Sequence, residues 1–124
     1  MAIDTTGVNF GDFGYRTKED ISASTLTTDI QDCGKVLNFT ATCVVTLHAT
    51  AAGQVLTFRV GADGITLTLS PQAADKIQGV DITAADNKDI ILTSQPIGSF
   101  IQLVSDGVDG WNIVGVKGAF TREA

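Results

Sequence analysis

Apolar and polar positions alternate along most of this chain in short runs. Ile65, Leu67 and Leu69 alternate with Thr66, Thr68 and Ser70, and Leu56, Phe58 and Val60 alternate with Val55, Thr57 and Arg59. Ile101, Leu103 and Ser105 do the same against Phe100, Gln102 and Val104. A period of two places successive side chains on opposite faces, which is the signature of a strand with one buried face. The pattern predicts strands over 25–28, 35–39, 44–48, 54–60, 65–70, 76–77, 89–94, 100–105 and 112–116. Gly34, Gly53, the run Gly61-Ala62-Asp63-Gly64, Pro71, Pro96 and Gly98 separate them, at the roughly 8–12-residue spacing of sandwiches and barrels. Segments 71–76 and 83–87 have room for one helical turn each. Between the last two strands, Asp106-Gly107-Val108-Asp109-Gly110 supplies residues tolerant of positive φ, as short hairpin loops require. The expected class is all-β, an antiparallel β-sandwich of jelly-roll-like type.

The first 22 residues break the pattern. Phe10, Phe13 and Tyr15 are interleaved with Gly7, Gly11 and Gly14 and follow neither a strand nor a helix period. Three aromatic rings are costly to leave in water, so this segment should dock on its own domain or on another chain. Terminal segments without structure of their own often order on a partner, which favours the second. The division expected is an extended N-terminal arm over 1–22 and a β domain over 23–124.

Composition narrows the class further. Among 124 residues, 44% are hydrophobic and 18% charged, a balance that supports a folded chain. Eight basic against 14 acidic residues give a net charge of −6. Arg16, Lys18, Lys35, Arg59, Lys76, Lys88, Lys117 and Arg122 are scattered, whereas a nucleic-acid binder needs a clustered basic footprint; no nucleic-acid partner is expected. No apolar run approaches the ~20 residues of a membrane helix, and Met1-Ala2-Ile3-Asp4 does not open a secretory signal. A soluble product made in the cytoplasm is expected, in which Cys33 and Cys43 read as small, semi-buried residues more readily than as a disulfide or redox pair.

Candidate chemistry is sparse. His48 is the only histidine, which rules out histidine clusters for metal. Cys43 and His48 lie five apart on one expected strand and so face opposite ways. Asp63, Asp106 and Asp109 offer hard oxygen ligands, but their spacing matches neither an EF-hand loop nor a calcium nonapeptide. Ser99 and Ser105 stand outside any Gly-x-Ser-x-Gly elbow, and Gly61-x-x-Gly64 stands between strands, away from any strand-to-helix phosphate loop. Asn38-Phe39-Thr40 matches the glycosylation triplet. Trp111 could stack on a sugar, though a Trp opening a hairpin strand is more often a packing residue. No catalytic residues, metal or cofactor are expected, and the chain does not read as an enzyme.

The order Val55-Leu56-Thr57-Phe58-Arg59-Val60, Gly64-Ile65-Thr66-Leu67-Thr68-Leu69, Ala74-Asp75-Lys76-Ile77-Gln78-Gly79, Val104-Ser105-Asp106-Gly107 and Gly110-Trp111-Asn112-Ile113-Val114-Gly115 resembles a β-rich module of tailed-phage virion proteins. These include capsid decoration (cement) proteins and parts of head and tail fibres, and the resemblance runs from about Lys35 to Phe120. It implies a homotrimer on the outer capsid surface that clamps neighbouring major capsid protein subunits, commonly with help from an N-terminal arm. Phe10, Phe13, Tyr15 and Arg16 are the expected capsid-binding residues. The short chain from Met1 to Ala124 favours a free-standing accessory protein. A fibre or host-recognition module that reads a glycan near Trp111 is the alternative, and a small lectin or adhesin unrelated to phage is a third.

Overall fold

Among the described residues eleven strands build two sheets around one apolar core. The computed structural model describes residues 18–80 and 82–124. The strands are β1 (Lys18–Ile21), β2 (Thr25–Thr27), β3 (Val36–Phe39), β4 (Cys43–Thr46), β5 (Val55–Val60), β6 (Ile65–Ser70), β7 (Lys76–Gln78), β8 (Ile90–Gln95), β9 (Phe100–Ser105), β10 (Gly110–Lys117) and β11 (Thr121–Arg122). One sheet has the order β1-β3-β5-β9-β10-β7 and the other β11-β8-β6-β4-β2. All nine expected strands are present within a few residues of their expected ends. β1 and β11 are additional, and β1 begins inside the segment read as arm. Segments 71–76 and 83–87 form turns and bridges, and the helical turn lies instead at Ile30–Asp32. There the Asp29 carboxylate accepts the Gln31 N–H and the Asp32 carboxylate accepts the Asp29 N–H, a reciprocal cap.

The connectivity corrects the antiparallel expectation. β1·β3, β3·β5, β2·β4, β4·β6 and β7·β10 pair parallel. β5·β9, β9·β10, β6·β8 and β8·β11 pair antiparallel. The first six strands alternate between the sheets, so the chain winds round the core in three coils and each coil stacks on the last. Partners across the stack lie 18 residues apart at Lys18↔Val36 and 21 apart at Val36↔Thr57. The physical reason is the length of the links. Residues 22–24, 40–42 and 61–64 span ~10–13 Å when extended at ~3.3 Å per residue, enough to cross the ~10 Å between stacked sheets. Such an arch carries the same Gly, Ser and Asp residues as a hairpin turn, so the two look alike in sequence. The jelly-roll-like pattern therefore does not extend to the wound half, and hairpin pairing is confined to the later strands.

Alternation sets what is buried. Leu56, Phe58 and Val60 of β5, Leu67 and Leu69 of β6, Ile90 and Leu92 of β8, and Ile101 and Leu103 of β9 are all fully buried in one cluster with Leu37, Phe39, Val45 and Trp111. Phe39 and Phe58, on neighbouring parallel strands, pack with ring centroids 6.1 Å apart, inside the range where aromatic pairs attract. Cys43 joins the core as a buried free thiol whose pKa burial pushes up. It is not bonded to Cys33, which packs at the core's margin.

On the outer face the three coils are stitched by a polar ladder. Asp20, Asn38 and Arg59 are register partners on β1, β3 and β5. The Asn38 Nδ2 donates to Asp20 Oδ1 at 3.0 Å, and Arg59 Nη1 donates to Asn38 Oδ1 at 2.6 Å. The Asn38 bond, and after it Lys18, holds the Asp20 carboxyl below its usual range. Asn38 is buried, and both ends of its amide are engaged, so the glycosylation triplet is closed in the folded chain. Replacing Asn38 by Ala leaves a buried gap, takes one bond from Arg59 and leaves Asp20 with Lys18 alone. Asn38→Ala is expected to cost about 1–3 kcal/mol, measured as a lower denaturant midpoint at unchanged slope. An unchanged midpoint would show that the ladder does not hold the coils together.

Candidate functional site

Two places concentrate the chain's remaining chemistry, one at each side of β10. The first is a polar knot where the loop after β4 meets the β9–β10 hairpin. Ser105 N–H donates to the Gln54 carbonyl at 2.9 Å, and Gly53 N–H returns to the Ser105 carbonyl at 3.0 Å. Ser105 Oγ accepts the Gln54 N–H at 2.9 Å and also bonds the Ala51 carbonyl. Thr50 Oγ1 donates to the Gly110 carbonyl at 2.9 Å and accepts the Gly107 N–H at 3.1 Å, while Thr50 N–H reaches the Asp75 carboxylate at 3.1 Å. These bonds join segments more than 20 residues apart.

His48 belongs to this knot. Its Nδ1 lies 2.7 Å from Thr28 Oγ1 and its Nε2 lies 2.7 Å from Gln54 Oε1. Thr28 Oγ1 also accepts the His48 backbone N–H at 3.0 Å, so its own proton is available to Nδ1. Both ring nitrogens of His48 are thus engaged, one by Thr28 and one by Gln54. The ring edge meets Trp111 at a centroid distance of 5.2 Å and 81° between planes. Trp111 is fully buried, and its Nε1 is a buried donor without a hydrogen-bond partner. No ring face of Trp111 is open to a sugar, so it packs the hairpin onto the core.

The hairpin loop explains its own Asp-Gly pattern. Asp106 Oδ1 accepts the N–H groups of Val108, Asp109 and Gly110 at 2.8, 2.8 and 3.0 Å. The second carboxylate oxygen is approached by Gln78 and Asn112 at 3.4 Å. The Gly110 and Val108 bonds, ahead of the smaller contributions from Asp109 and Asn112, lower the Asp106 pKa to about 2. Gly110 is obligatory because its φ is +141° and a Cβ there would overlap the Lys76 backbone. The carboxylate oriented by sequence as a possible calcium ligand is thus committed to backbone donors. Among the described residues no group of three or more His, Cys, Asp or Glu side chains is placed to hold a metal, and no helix is long and apolar enough to cross a membrane.

The second place is an uncovered apolar strip. The β7 ladder on β10 ends at Asn112, which pairs Gln78. From Ile113 to Lys117, β10 is paired on its β9 side alone among the described residues. Val114 and Val116 are 56% and 39% exposed, and Val80, just after β7, is 99% exposed. With Gly79, Ile113 and Phe120 they line a groove of about 170 Å³. A second groove of about 120 Å³ lies on the other flank of Phe120, lined also by Ile91 and Thr93. Val116 is opposite the buried Ile101, and Ile113 is opposite the buried Leu103, so both point to the core side of a sheet that no other described strand covers at this edge. Phe120 is fixed in place by its flanks: the Gln95 side chain accepts the Ala119 N–H at 3.1 Å, Gly118 turns the chain at φ +118°, and Thr121 pairs Ile91. Other exposed apolar residues, such as Ile30, Ile97 and Val108, lie on separate turns and are unremarked features of any surface.

Phe10, Phe13, Tyr15 and Arg16, the capsid-binding residues expected from sequence, lie outside the described residues. The strip was not expected. Its signal is the run Ile113-Val114-Gly115-Val116, which is apolar on both faces where a half-buried strand should alternate. The cause is a bulge: Leu103 faces Ile113 and Gln102 faces Gly115, which leaves Val114 as the extra residue.

The Asp106 geometry yields a pH expectation. The folded carboxyl titrates at about 2 against an ordinary 3.8, so its contribution is fully present above 3.8 and is lost as pH falls through the folded value. The stability difference between the native chain and Asp106→Asn should therefore shrink between pH 4 and pH 2 in denaturant titrations. A difference that stays constant over that range contradicts the role given to this carboxylate.

No protein-family model matches the chain, and no curated protein matches it.

Proposed function

We propose that this chain is a structural protein of a phage virion, a homotrimer that binds the outer capsid surface and stabilises contacts between major capsid protein subunits. The observation that carries this reading is the apolar strip of Val80, Val114, Val116 and Phe120 on the edge of an otherwise well-packed two-sheet domain. Exposed apolar surface rimmed by polar residues marks a site of association, and a small domain gains stability by covering it in an assembly. The segment order that resembles phage virion modules supports the same reading. So does the acidic balance of the chain, which keeps a free accessory protein soluble before assembly. In this reading Phe10, Phe13, Tyr15 and Arg16 reach beyond the β domain, and a trimer presents three such arms at once. Each contact is then weak alone and firm together. The protein acts by binding and needs no cofactor.

Co-sedimentation with purified shells of the encoding phage tests this. The full chain should pellet with shells at saturating stoichiometry and remain in the supernatant without them. Replacing Phe10, Phe13, Tyr15 and Arg16 together by Ala should weaken pelleting at least tenfold. A full chain that stays in the supernatant with shells would refute the virion reading.

A further inference from the structure

The strip has a size, a shape and a position, and together they select an occupant. Its five apolar side chains, three of them exposed, fall well short of the ~20–30 residues a side that a stable protein–protein interface uses. It therefore suits a short segment better than a second folded face. The groove of about 170 Å³ beside Phe120 is comparable to the ~150 Å³ apolar cavity that accepts a benzene ring. An aromatic side chain on an extended segment fits this surface. The backbone of β10 beyond Asn112 adds a ladder that no other described strand occupies on that side, to which such a segment can pair.

The chain supplies a segment of that chemistry. Phe10, Phe13 and Tyr15 precede β1 among glycines, on a stretch whose charges are few. The question is which copy's strip they reach. β1 and β10 are four strand positions apart in their sheet, a straight line of about 19 Å that runs through the sheet itself. The path over the surface is longer. Counted back from Lys18, an extended backbone reaches at most about 11 Å to Tyr15, about 18 Å to Phe13 and about 29 Å to Phe10. Tyr15 thus falls short of the chain's own strip even along the straight line and Phe13 is at its limit, whereas Phe10 has about 10 Å to spare. A neighbouring copy can bring its strip within range of all three.

We infer that the strip formed by Val80, Ile113, Val114, Val116 and Phe120 is the receptor for an aromatic residue of the segment 1–17 of a second copy of this chain. The contact is head-to-tail, since arm and strip are different surfaces, and head-to-tail contacts close into rings when the rotation allows. A threefold ring of exchanged arms is the smallest such assembly that satisfies the homotrimer of the proposed function. The inference rests on that oligomeric reading and adds where the copies join. It also divides the labour within the arm: one ring anchors to the neighbour, and the remaining residues are held at the trimer's rim.

The test uses the full chain and no shells, so its failure is distinct from failure to bind capsids. Solution mass is measured for the native chain, for Phe10→Ala/Phe13→Ala/Tyr15→Ala, and for Val80→Lys/Val116→Lys. Strip side chains are exposed, and unchanged fluorescence of buried Trp111 confirms that each variant folds. The native chain should be a trimer, and both variants should need at least a tenfold higher concentration to associate. A second measurement identifies the donor. In a Cys33→Ser background, an isotope-labelled Val80→Cys chain and an unlabelled Phe13→Cys chain are mixed and oxidised. A disulfide between labelled and unlabelled chains is the expected product. A native mass that neither set of variants alters, or a monomeric native chain, overturns the inference. Mixed chains that give no labelled–unlabelled disulfide with Cys at position 10, 13 or 15 overturn it as well.

Discussion

The first six strands wind from one sheet to the other, and that winding shapes the remainder of the fold. Links of three or four residues (22–24, 40–42 and 61–64) alternate with links of eight (28–35 and 47–54). Each carries the chain from one sheet to the other, and the next strand then lies beside the one before last. Parallel rows result, with β1, β3 and β5 in one sheet and β2, β4 and β6 in the other. Each coil buries its inward residues against the coil it faces, and the outward residues of one coil meet their register partners on the next. The Asp20–Asn38–Arg59 ladder is a consequence of that stacking. Parallel in-register rows are what bring three residues from distant parts of the sequence into one line.

A wound stack has ends, and the ends determine where the molecule is open. At the β1 end, Lys18, Glu19 and Asp20 are all exposed, and charge on an edge strand discourages further pairing. At the other end the chain abandons winding, and β8, β9 and β10 close the sheets by antiparallel pairing. Closure is incomplete. β7 covers only the first part of β10 and β11 is two residues long, so inward-facing Ile113 and Val116 come to the surface beside Phe120. The polar knot around Ser105, Thr50 and His48 ties the loop end of the hairpin to the chain after β4. The apolar margin at the other end of β10 is the physical content behind the functional reading.

Strand positions were legible because alternation is a local property: β5, β6 and β9 each bury every second residue. β1 was hidden because Lys18-Glu19-Asp20-Ile21 buries only its last residue. Pairing direction was not legible, since Gly61-Ala62-Asp63-Gly64 serves an arch as well as it serves a hairpin. The Asp-Gly pairs around Val108 were read correctly as a loop device, and the loop adds that Asp106 organises it through three backbone N–H groups. Trp111 proved a packing residue, as its position at the head of a strand suggested. The strip escaped notice because a bulge at Val114 turns what reads as an overlong apolar run into an exposed margin. The arm residues Phe10, Phe13, Tyr15 and Arg16 keep their standing from sequence alone.

The central claim is that the β10 margin is a covered surface in the working assembly. Hydrogen exchange of the native full chain at a high and a low protein concentration addresses it directly, because exchange reports each amide's protection. The account predicts that amides from Gly115 to Phe120 gain protection as concentration rises, while those of the His48 knot remain unchanged. Protection of the β10 margin that is the same at both concentrations, with the native mass changing between them, would contradict it.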